Sequence, residues 1–255
     1  MSTTKAGPKV RQQVLGYPVD LVDKSEALSL IKAAWQKEKP LHVVTLNAEM
    51  VIAAQQQQEL DRTIREAHLI IPDGSGVVFA LRLNGYASSR LPGIELAQAS
   101  LELASQEKKR LALVGGRAEV ISLLKEKLKS DCPGIELVYA RDGYFGETEE
   151  AEIFSQIKES GAQLVLVALG VPKQEFFIDR LQAAEIDAVL IGVGGSFDVW
   201  TGLTKRAPEQ FQKLHLEWLY RLMSEPWRWK RMLSALPNFA LQVIFDFIRK
   251  PRRKS

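Results

Sequence analysis

The sequence is poor in the residues that build disulfide frameworks and metal centres. Its 255 residues include one cysteine, Cys132, and three scattered histidines, His42, His68 and His215. A lone cysteine excludes an internal disulfide and fits a reducing compartment. The histidines lack the spacing of zinc ligands, and the chain has no Asp-x-Asp pair of the kind that holds magnesium or manganese. We therefore expect no metal ion and no other cofactor.

Long apolar runs are missing as well. No stretch of 18 apolar residues occurs, so we expect no transmembrane span. The first residues are polar and no apolar stretch follows Lys5, so we expect no signal peptide and a cytoplasmic protein. With 46% hydrophobic residues, the chain can nevertheless bury the core of one large domain.

The chain instead shows a regular alternation of strand and helix patterns. Asp23 and Glu26 form a capping-box pattern that predicts a helix running up to Pro40. Further helices are predicted from Ala48, through Asn84, from Gly93, over 118–129 and 147–160, and after Pro172. Strands are predicted at 14–19, 41–45, 69–71, 111–114, 135–139, 164–168 and 188–191. This alternation predicts an α/β fold, a Rossmann-like and mainly parallel sheet covered by helices.

Several predicted strands end in polar or glycine-rich turns. Thr45 and Asn47 follow one strand, Asp73 lies in the Pro72–Gly76 turn after the next, and a glycine-rich turn at 192–198 follows the last. Ligands bind beyond the carboxyl ends of strands in open α/β sheets. Asn47 and Asp73 are also good helix N-caps. The functional alternative makes Thr45 and Asn47 contacts for a sugar or nucleotide, and Asp73 a general base.

Two weaker signals concern phosphate groups. Gly115 and Gly116 form a turn after a strand that resembles a phosphate-binding turn, but the G-x-G-x-x-G spacing is absent. Together with Gly194 and Gly195 they are our candidates for nucleotide binding. Arg90 precedes a predicted helix; such an arginine is usually solvated, and it matters only if an anionic ligand lies close.

Basic residues are concentrated at the carboxyl end. Residues 216–255 contain nine Lys/Arg against three acids, a local charge of +6 that leaves −3 for the first 215 residues. The apolar stretch 236–248 and the basic stretch 249–254 predict binding to an anionic membrane surface. The alternative is a packing or oligomer helix, which leaves a homo-oligomer open. Nucleic acid is not expected, because the core is slightly acidic and lacks a recognition motif. We divide the chain into an α/β core, 1–212, and a basic amphipathic appendage, 213–255.

Taken in order, the motifs resemble those of the WecG/TagA/CpsF family of bacterial glycosyltransferases. The resemblance covers roughly residues 12 to 232. It rests on Thr-x-Asn at 45–47, Pro-Asp-Gly-x-Gly at 72–76, Leu-Gly-x-Pro-Lys-Gln-Glu at 169–175, Gly-Val-Gly-Gly-x-Phe-Asp at 192–198, and Arg-Ala-Pro, Leu-Glu-Trp-Leu-Tyr-Arg-Leu and Glu-Pro-x-Arg at 206–228.

The resemblance implies an α/β core of the GT-E type and an inverting transferase that needs no metal. Such enzymes move a sugar from a UDP-sugar to an undecaprenyl-diphosphate-linked acceptor in cell-surface polysaccharide synthesis, teichoic acid included. The best known members add N-acetylmannosamine, or its uronic acid, to lipid-linked N-acetylglucosamine. We therefore expect a UDP-sugar and a polyprenyl-linked glycan as partners, and a peripheral location on the inner face of the cytoplasmic membrane.

The resemblance also assigns roles to single residues. It makes Asp73 the catalytic base, lets Arg90 line the pocket, and gives sugar or acceptor contacts to Thr45, Asn47 and Gln174. Arg221, Arg228 and Arg231 match arginines of the family's C-terminal appendage, which folds over the site. Planar guanidinium groups suit the oxygens of a leaving diphosphate; the alternative is a solvated helix face.

Two alternatives stay open at this point. Leu91-Pro92 and Glu95 depart from the residues common in relatives, so glucose or N-acetylmannosaminuronic acid could replace N-acetylmannosamine as the donor sugar. The chain could also be a catalytically silent module that binds a nucleotide sugar. Asp73 together with the three arginines favours the enzyme, because a binding module needs no base.

Overall fold

The computed structural model describes residues 10–225 and 229–249. Its strands are β1 (Arg11–Val14), β2 (Tyr17–Asp20), β3 (Leu41–Leu46), β4 (Leu69–Pro72), β5 (Arg110–Gly115), β6 (Glu136–Arg141), β7 (Leu164–Ala168) and β8 (Val189–Gly192). Its helices are α1 (Lys24–Lys37), α2 (Ala48–Ala54), α3 (Gln58–Glu66), α4 (Ser75–Leu83), α5 (Gly93–Gln106), α6 (Ala118–Asp131), α7 (Glu147–Ser160), α8 (Lys173–Ala183), α9 (Ser196–Trp200), α10 (Glu209–Lys213), α11 (Glu217–Ser224) and α12 (Trp229–Arg249).

Six of the strands form one parallel sheet in the order β4-β3-β8-β7-β5-β6. The central strands are continuous apolar runs because helices cover the sheet on both faces, and so each strand is buried on two sides. The predicted α/β fold with a parallel, helix-covered sheet is confirmed. The segment predicted as one strand and a turn near Val14 is an antiparallel hairpin of β1 and β2.

Helix starts follow the local sequence signals. Asp23 accepts a hydrogen bond from the amide of Glu26 at 2.8 Å, and the Glu26 side chain accepts one from the Asp23 amide at 2.9 Å. The predicted capping box of α1 is therefore confirmed. The helix predicted from Ala48 is in fact two helices, α2 and α3, separated at Gln55–Gln57.

Helix α12 packs one face on the core and exposes the other. Met232, Ala235, Phe239 and Val243 recur at helical spacing and are buried, and α12 packs against α2 and α4. Other apolar side chains of α12 are exposed: Leu233 near its start, and Leu241, Ile244, Phe245 and Ile248 on the outward face. Across 10–225 and 229–249, no helix is both long and apolar enough to cross a bilayer. The basic residues from Lys250 onward lie outside the described residues, and the boundary proposed at residue 213 stays a prediction.

Candidate active site

A cleft of about 1310 Å³ opens at the carboxyl ends of β4, β3 and β8. These three strands are neighbours in the sheet, and so the polar turns that follow them meet at one edge. The cleft is lined by nine of the predicted site residues: Thr45, Asn47, Asp73, Arg90, Gln174, Gly194, Gly195, Arg221 and Arg231. The structure thus brings together residues that lie far apart in the sequence.

Asp73 is fixed in the cleft by its backbone and by its carboxylate. Its amide donates to the Leu46 carbonyl at 3.1 Å, which ties the turn after β4 to the end of β3. Its Oδ1 accepts a hydrogen bond from the Gly93 amide at 2.9 Å, at the start of α5. The side chain is still 25% exposed. The carboxylate is therefore held in one place while remaining accessible from the cleft.

The neighbouring glycine makes this turn possible. A Cβ at position 74 would lie 2.8 Å from Cβ of Asn47, closer than two carbon atoms can approach without a shift of the backbone. Only glycine lets the Asp73 turn pack this tightly against the end of β3.

The surroundings of Asp73 favour a proton acceptor. Burial raises the pKa of its carboxyl group, and the negative charge of Glu217 adds to the rise. The positive charges of Arg90 and Arg221 and the Gly93 amide act in the opposite direction, but the net pKa is raised. A carboxylate with a raised pKa is a stronger base than a solvated one.

Arg90 is a structural partner of Asp73 and not a solvated arginine. Its Nε donates to the Asp73 carbonyl at 2.5 Å, and its Nη2 lies 3.9 Å from the Asp73 carboxylate. Its Nη1 pairs with Glu217, and the side chain is 15% exposed. Arg90 therefore connects the start of α11 to the turn that contains Asp73, the predicted base.

A second arginine completes a network around Glu217. Arg206 places Nε 3.5 Å from Glu217, and its Nη2 donates to Glu95 of α5 at 2.5 Å. A buried carboxylate is stable only when paired, and Glu217, at 9% side-chain exposure, has two guanidinium partners. Arg221 follows Glu217 by one helical turn, so the network attaches the helix that carries Arg221 to the edge of the cleft. Sequence reasoning missed Glu217, Arg206 and Glu95 as a unit; their opposite charges within separate motifs were the only signal.

Thr45 and Asn47 line the cleft and also serve the fold. Oδ1 of Asn47 accepts a hydrogen bond from the Met50 amide at 3.0 Å, so its interpretation as the N-cap of α2 is confirmed. Thr45 packs on the start of α5, where a Cβ at Gly93 would lie 2.7 Å from Cγ2 of Thr45. The predicted ligand contacts of both residues stay predictions.

Gln174 uses both ends of its amide inside the protein. Its Oε1 accepts a hydrogen bond from the Gly194 amide at 3.0 Å, and its Nε2 donates to Glu175 at 3.0 Å. Glu175 also lies 3.2 Å from Nε2 of His42, and all three side chains are buried. These contacts favour a role in positioning the loop after β8; direct contact with substrate stays a prediction.

The two pairs of candidate nucleotide-binding glycines are placed differently. Gly194 and Gly195 line the cleft, whereas Gly115 and Gly116 do not. Gly115 has a φ of 115°, and a Cβ there would lie 2.4 Å from the Ala168 carbonyl oxygen. Close backbone packing therefore explains why position 115 is a glycine. The nucleotide-binding role of all four glycines stays a prediction.

The predicted arginines of the appendage are partly placed. Arg221 and Arg231 line the cleft, and Nε of Arg231 lies 2.5 Å from a carboxylate oxygen of Glu49 in α2. Arg228 lies outside the described residues. In the part of the chain that the structure describes, no three His, Cys, Asp or Glu side chains are grouped as metal ligands. Independence from metal stays a prediction.

Two kinds of sequence comparison with known proteins give consistent matches. A model of the "Glycosyl transferase WecG/TagA/CpsF family" matches residues 12–253. The N-acetylglucosaminyldiphosphoundecaprenol N-acetyl-beta-D-mannosaminyltransferase of Bacillus spizizenii strain W23 is 41% identical over 209 residues, which are 82% of this chain and 80% of that protein. The protein of the same name from Bacillus subtilis strain 168 is 40% identical over 203 residues, 79% of this chain and 78% of its own length. The chain belongs to the WecG/TagA/CpsF family of glycosyltransferases.

Proposed function

We propose that this protein transfers N-acetylmannosamine from a UDP-sugar to N-acetylglucosamine on undecaprenyl diphosphate. Two relatives about 40% identical over four fifths of the chain are named as N-acetyl-beta-D-mannosaminyltransferases that act on N-acetylglucosaminyldiphosphoundecaprenol. The observation in the structure that carries the proposal is Asp73, a partly accessible carboxylate of raised pKa in a large cleft. A binding module has no need of such a group.

Asp73 is the proposed general base. Its carboxylate takes the proton of the acceptor hydroxyl while that oxygen attacks the anomeric carbon of the donor sugar. The bond from that carbon to the UDP oxygen breaks, and its electron pair leaves with the diphosphate. Attack from the face opposite the leaving group inverts the configuration. The Gly93 amide and Arg90 orient the carboxylate and keep it in place for this step.

The departing diphosphate needs positive charge close by. Arg221 and Arg231 line the same cleft as Asp73 and supply guanidinium groups without a metal ion. Arg231 is 53% exposed and is held near Glu49, so it can reorient toward a ligand at little cost. We also assign a phosphate contact to Arg228. Gly194 and Gly195 provide an open cleft wall for the nucleotide.

We further propose that α12 docks on the inner face of the cytoplasmic membrane. Its outward face carries Leu241, Phe245 and Ile248, which are 57%, 69% and 73% exposed. The basic residues of 249–254 follow directly in the sequence. An apolar helix face next to a basic segment suits an anionic bilayer surface, which is where a lipid-linked acceptor lies.

A donor screen tests the function directly. The purified protein is incubated with a short-chain prenyl-diphosphate N-acetylglucosamine acceptor and, in separate reactions, with UDP-N-acetylmannosamine, UDP-glucose and UDP-N-acetylmannosaminuronic acid. We expect product from UDP-N-acetylmannosamine at a kcat/KM at least about tenfold above the others, a difference of one or two polar contacts. Preferential transfer from another donor would show that the donor sugar is not N-acetylmannosamine. Binding of UDP without any transfer would support the silent binding module instead.

A further inference from the structure

The cleft has two chemically different ends. The end at the sheet edge is polar and contains Asp73, Arg90 and Arg221. The helices α4, α11 and α12 contribute apolar side chains, among them Val78, Phe79, Trp218, Leu233 and Leu236, and we call this part of the lining the apolar end. Charged side chains of the same helices, such as Arg82 and Arg231, border it. Ligand pockets in proteins usually measure about 300 to 1,000 Å³, and this cleft, at about 1310 Å³, exceeds them. It has room for more than a nucleotide sugar.

The apolar end begins next to the predicted base. Phe239 of α12 packs over Gly76, where a Cβ would lie 3.3 Å from Cε1 of the ring. Gly76 is three residues beyond Asp73, in the first turn of α4. The two ends are therefore continuous, and one ligand can reach from the polar end into the apolar end.

Apolar side chains at this end remain open to solvent. Phe79 is 57% exposed, Leu233 59% and Trp218 39%, although all three line a concave surface. Apolar area that stays exposed in a concavity marks a place where an apolar ligand binds. A uracil ring or a sugar can stack on one aromatic side chain, but a hydrocarbon chain covers an apolar surface that three helices contribute together.

We propose that the apolar end of the cleft binds the first isoprene units of the acceptor's polyprenyl chain. The acceptor consists of a polar sugar diphosphate attached to a branched hydrocarbon, and the cleft lining has a polar part and an apolar part that match these two components. This subsite rests on the proposed function, since that function supplies the prenyl chain. It is separate from the proposed membrane-docking face, because Leu241, Phe245 and Ile248 do not line the cleft.

Two acceptors with the same head group test the subsite. One carries N-acetylglucosamine diphosphate on a farnesyl chain, and the other carries it on an ethyl group. We expect the wild-type KM to be at least about tenfold lower for the farnesyl acceptor, since each buried CH₂ adds to binding. Phe79→Ser and Leu233→Ser should raise the KM for the farnesyl acceptor about tenfold and leave kcat and KM for the ethyl acceptor unchanged.

Leu123→Ser is the matched control. Leu123 is an exposed apolar residue of α6, at 42% exposure, and it does not line the cleft. The control should leave both KM values unchanged. Equal wild-type KM values for the two acceptors would overturn the subsite, and so would variants that change both acceptors alike or have the same effect as the control. Because Phe79 and Leu233 are more than half exposed, serine at either position should leave the fold intact.

A binding measurement separates the subsite from the proposed function. If the wild-type protein transfers sugar to neither acceptor, the proposed function fails, and calorimetric titration with farnesyl diphosphate then decides the subsite alone. We expect farnesyl diphosphate to bind the wild-type protein and Leu123→Ser equally, and Phe79→Ser and Leu233→Ser about tenfold more weakly. Equal binding to all four proteins would overturn the subsite.

Discussion

The turns after β4 and β5 look alike in the sequence and behave differently in the structure. Both follow a buried apolar strand and both are rich in glycine. The turn after β4 places Asp73 in the cleft, whereas the turn after β5 packs Gly115 against the backbone of Ala168 outside it. Strand order explains the difference, because β4 neighbours β3 and β8 while β7 separates β5 from β8. A residue pattern identifies the end of a strand, but the order of the strands in the sheet determines which strand ends lie together in one site.

The largest effect is expected from a substitution that removes the proposed base at the end of β4. Asp73→Asn should lower kcat by roughly 10²- to 10⁴-fold, the usual contribution of a positioned base. Because burial raises the pKa of Asp73, the ionised carboxylate opposes folding once the pH exceeds that pKa. The variant should therefore be at least as stable as the wild type at neutral pH. Turnover of the lipid acceptor and a thermal melt measure the two effects.

Asp142→Asn is the matched control, because Asp142 follows the strand at the opposite edge of the sheet. Asp142 follows β6 and accepts a hydrogen bond from the Tyr144 amide at 2.9 Å, and it does not line the cleft. Replacing the Asp142 carboxylate should leave kcat within about twofold of the wild-type value. Near-wild-type turnover of Asp73→Asn would remove Asp73 from the mechanism.

The next effect concerns the network that links the turn after β4 to α11. Glu217→Gln removes the negative charge that pairs with Arg90 and Arg206, which weakens the attachment of α11, the helix that carries Arg221, to the turn after β4. We expect kcat to fall about tenfold, equivalent to about 1.4 kcal/mol in the barrier, with a smaller change in KM. Glu119→Gln is the control, because Glu119 is 64% exposed and lies 4.0 Å from Arg117. Equal kinetics of the two variants would show that the network does not serve catalysis.

A third prediction compares two glycines. Gly195 has a φ of −79°, and a Cβ there would meet no protein atom within 4 Å. Gly195→Ala should leave the melting temperature unchanged and raise the donor KM about three- to tenfold, because the methyl group occupies the cleft wall. Gly115→Ala should lower the free energy of unfolding by about 2–4 kcal/mol, because both its φ and the nearby Ala168 oxygen oppose a side chain. A raised donor KM in Gly115→Ala, together with a lowered melting temperature in Gly195→Ala, would contradict the roles assigned to these two glycines.

The smallest expected effect is that of chelation. Arginines at the cleft replace a metal ion in the proposed mechanism, so EDTA should change kcat by less than about twofold, under ~0.5 kcal/mol. Activity lost with EDTA and restored by manganese would contradict the assignment of Arg221 and Arg231 to the diphosphate.

Local signals in the sequence predicted the elements well. The strand at Leu164–Ala168 and the helix at Glu147–Ser160 match β7 and α7 at both ends. Strong periodicity and a clear glycine or cap at each end explain this agreement. The break between α2 and α3 was missed, because the glutamines at 55–57 favour a helix by propensity and give no stop signal.

Contacts between distant elements could not be predicted in the same way. Arg90 and Glu217 pair across more than half of the described chain, and no local pattern encodes that pairing. The strand-end pattern marked Asn47, and the family resemblance marked Gln174, as polar residues near a ligand. Only the fold shows that their side-chain oxygens accept hydrogen bonds from the backbone amides of Met50 and Gly194. Tertiary packing decides which polar groups remain available.

The central claim, that Asp73 is the base, is tested most directly by the pH dependence of kcat/KM. Only the ionised carboxylate accepts a proton, so the wild-type value should fall about tenfold per pH unit below the raised pKa of Asp73. The residual activity of Asp73→Asn should show no such inflection over the same range. A wild-type profile without the acidic limb, or the same limb in Asp73→Asn, would contradict the account.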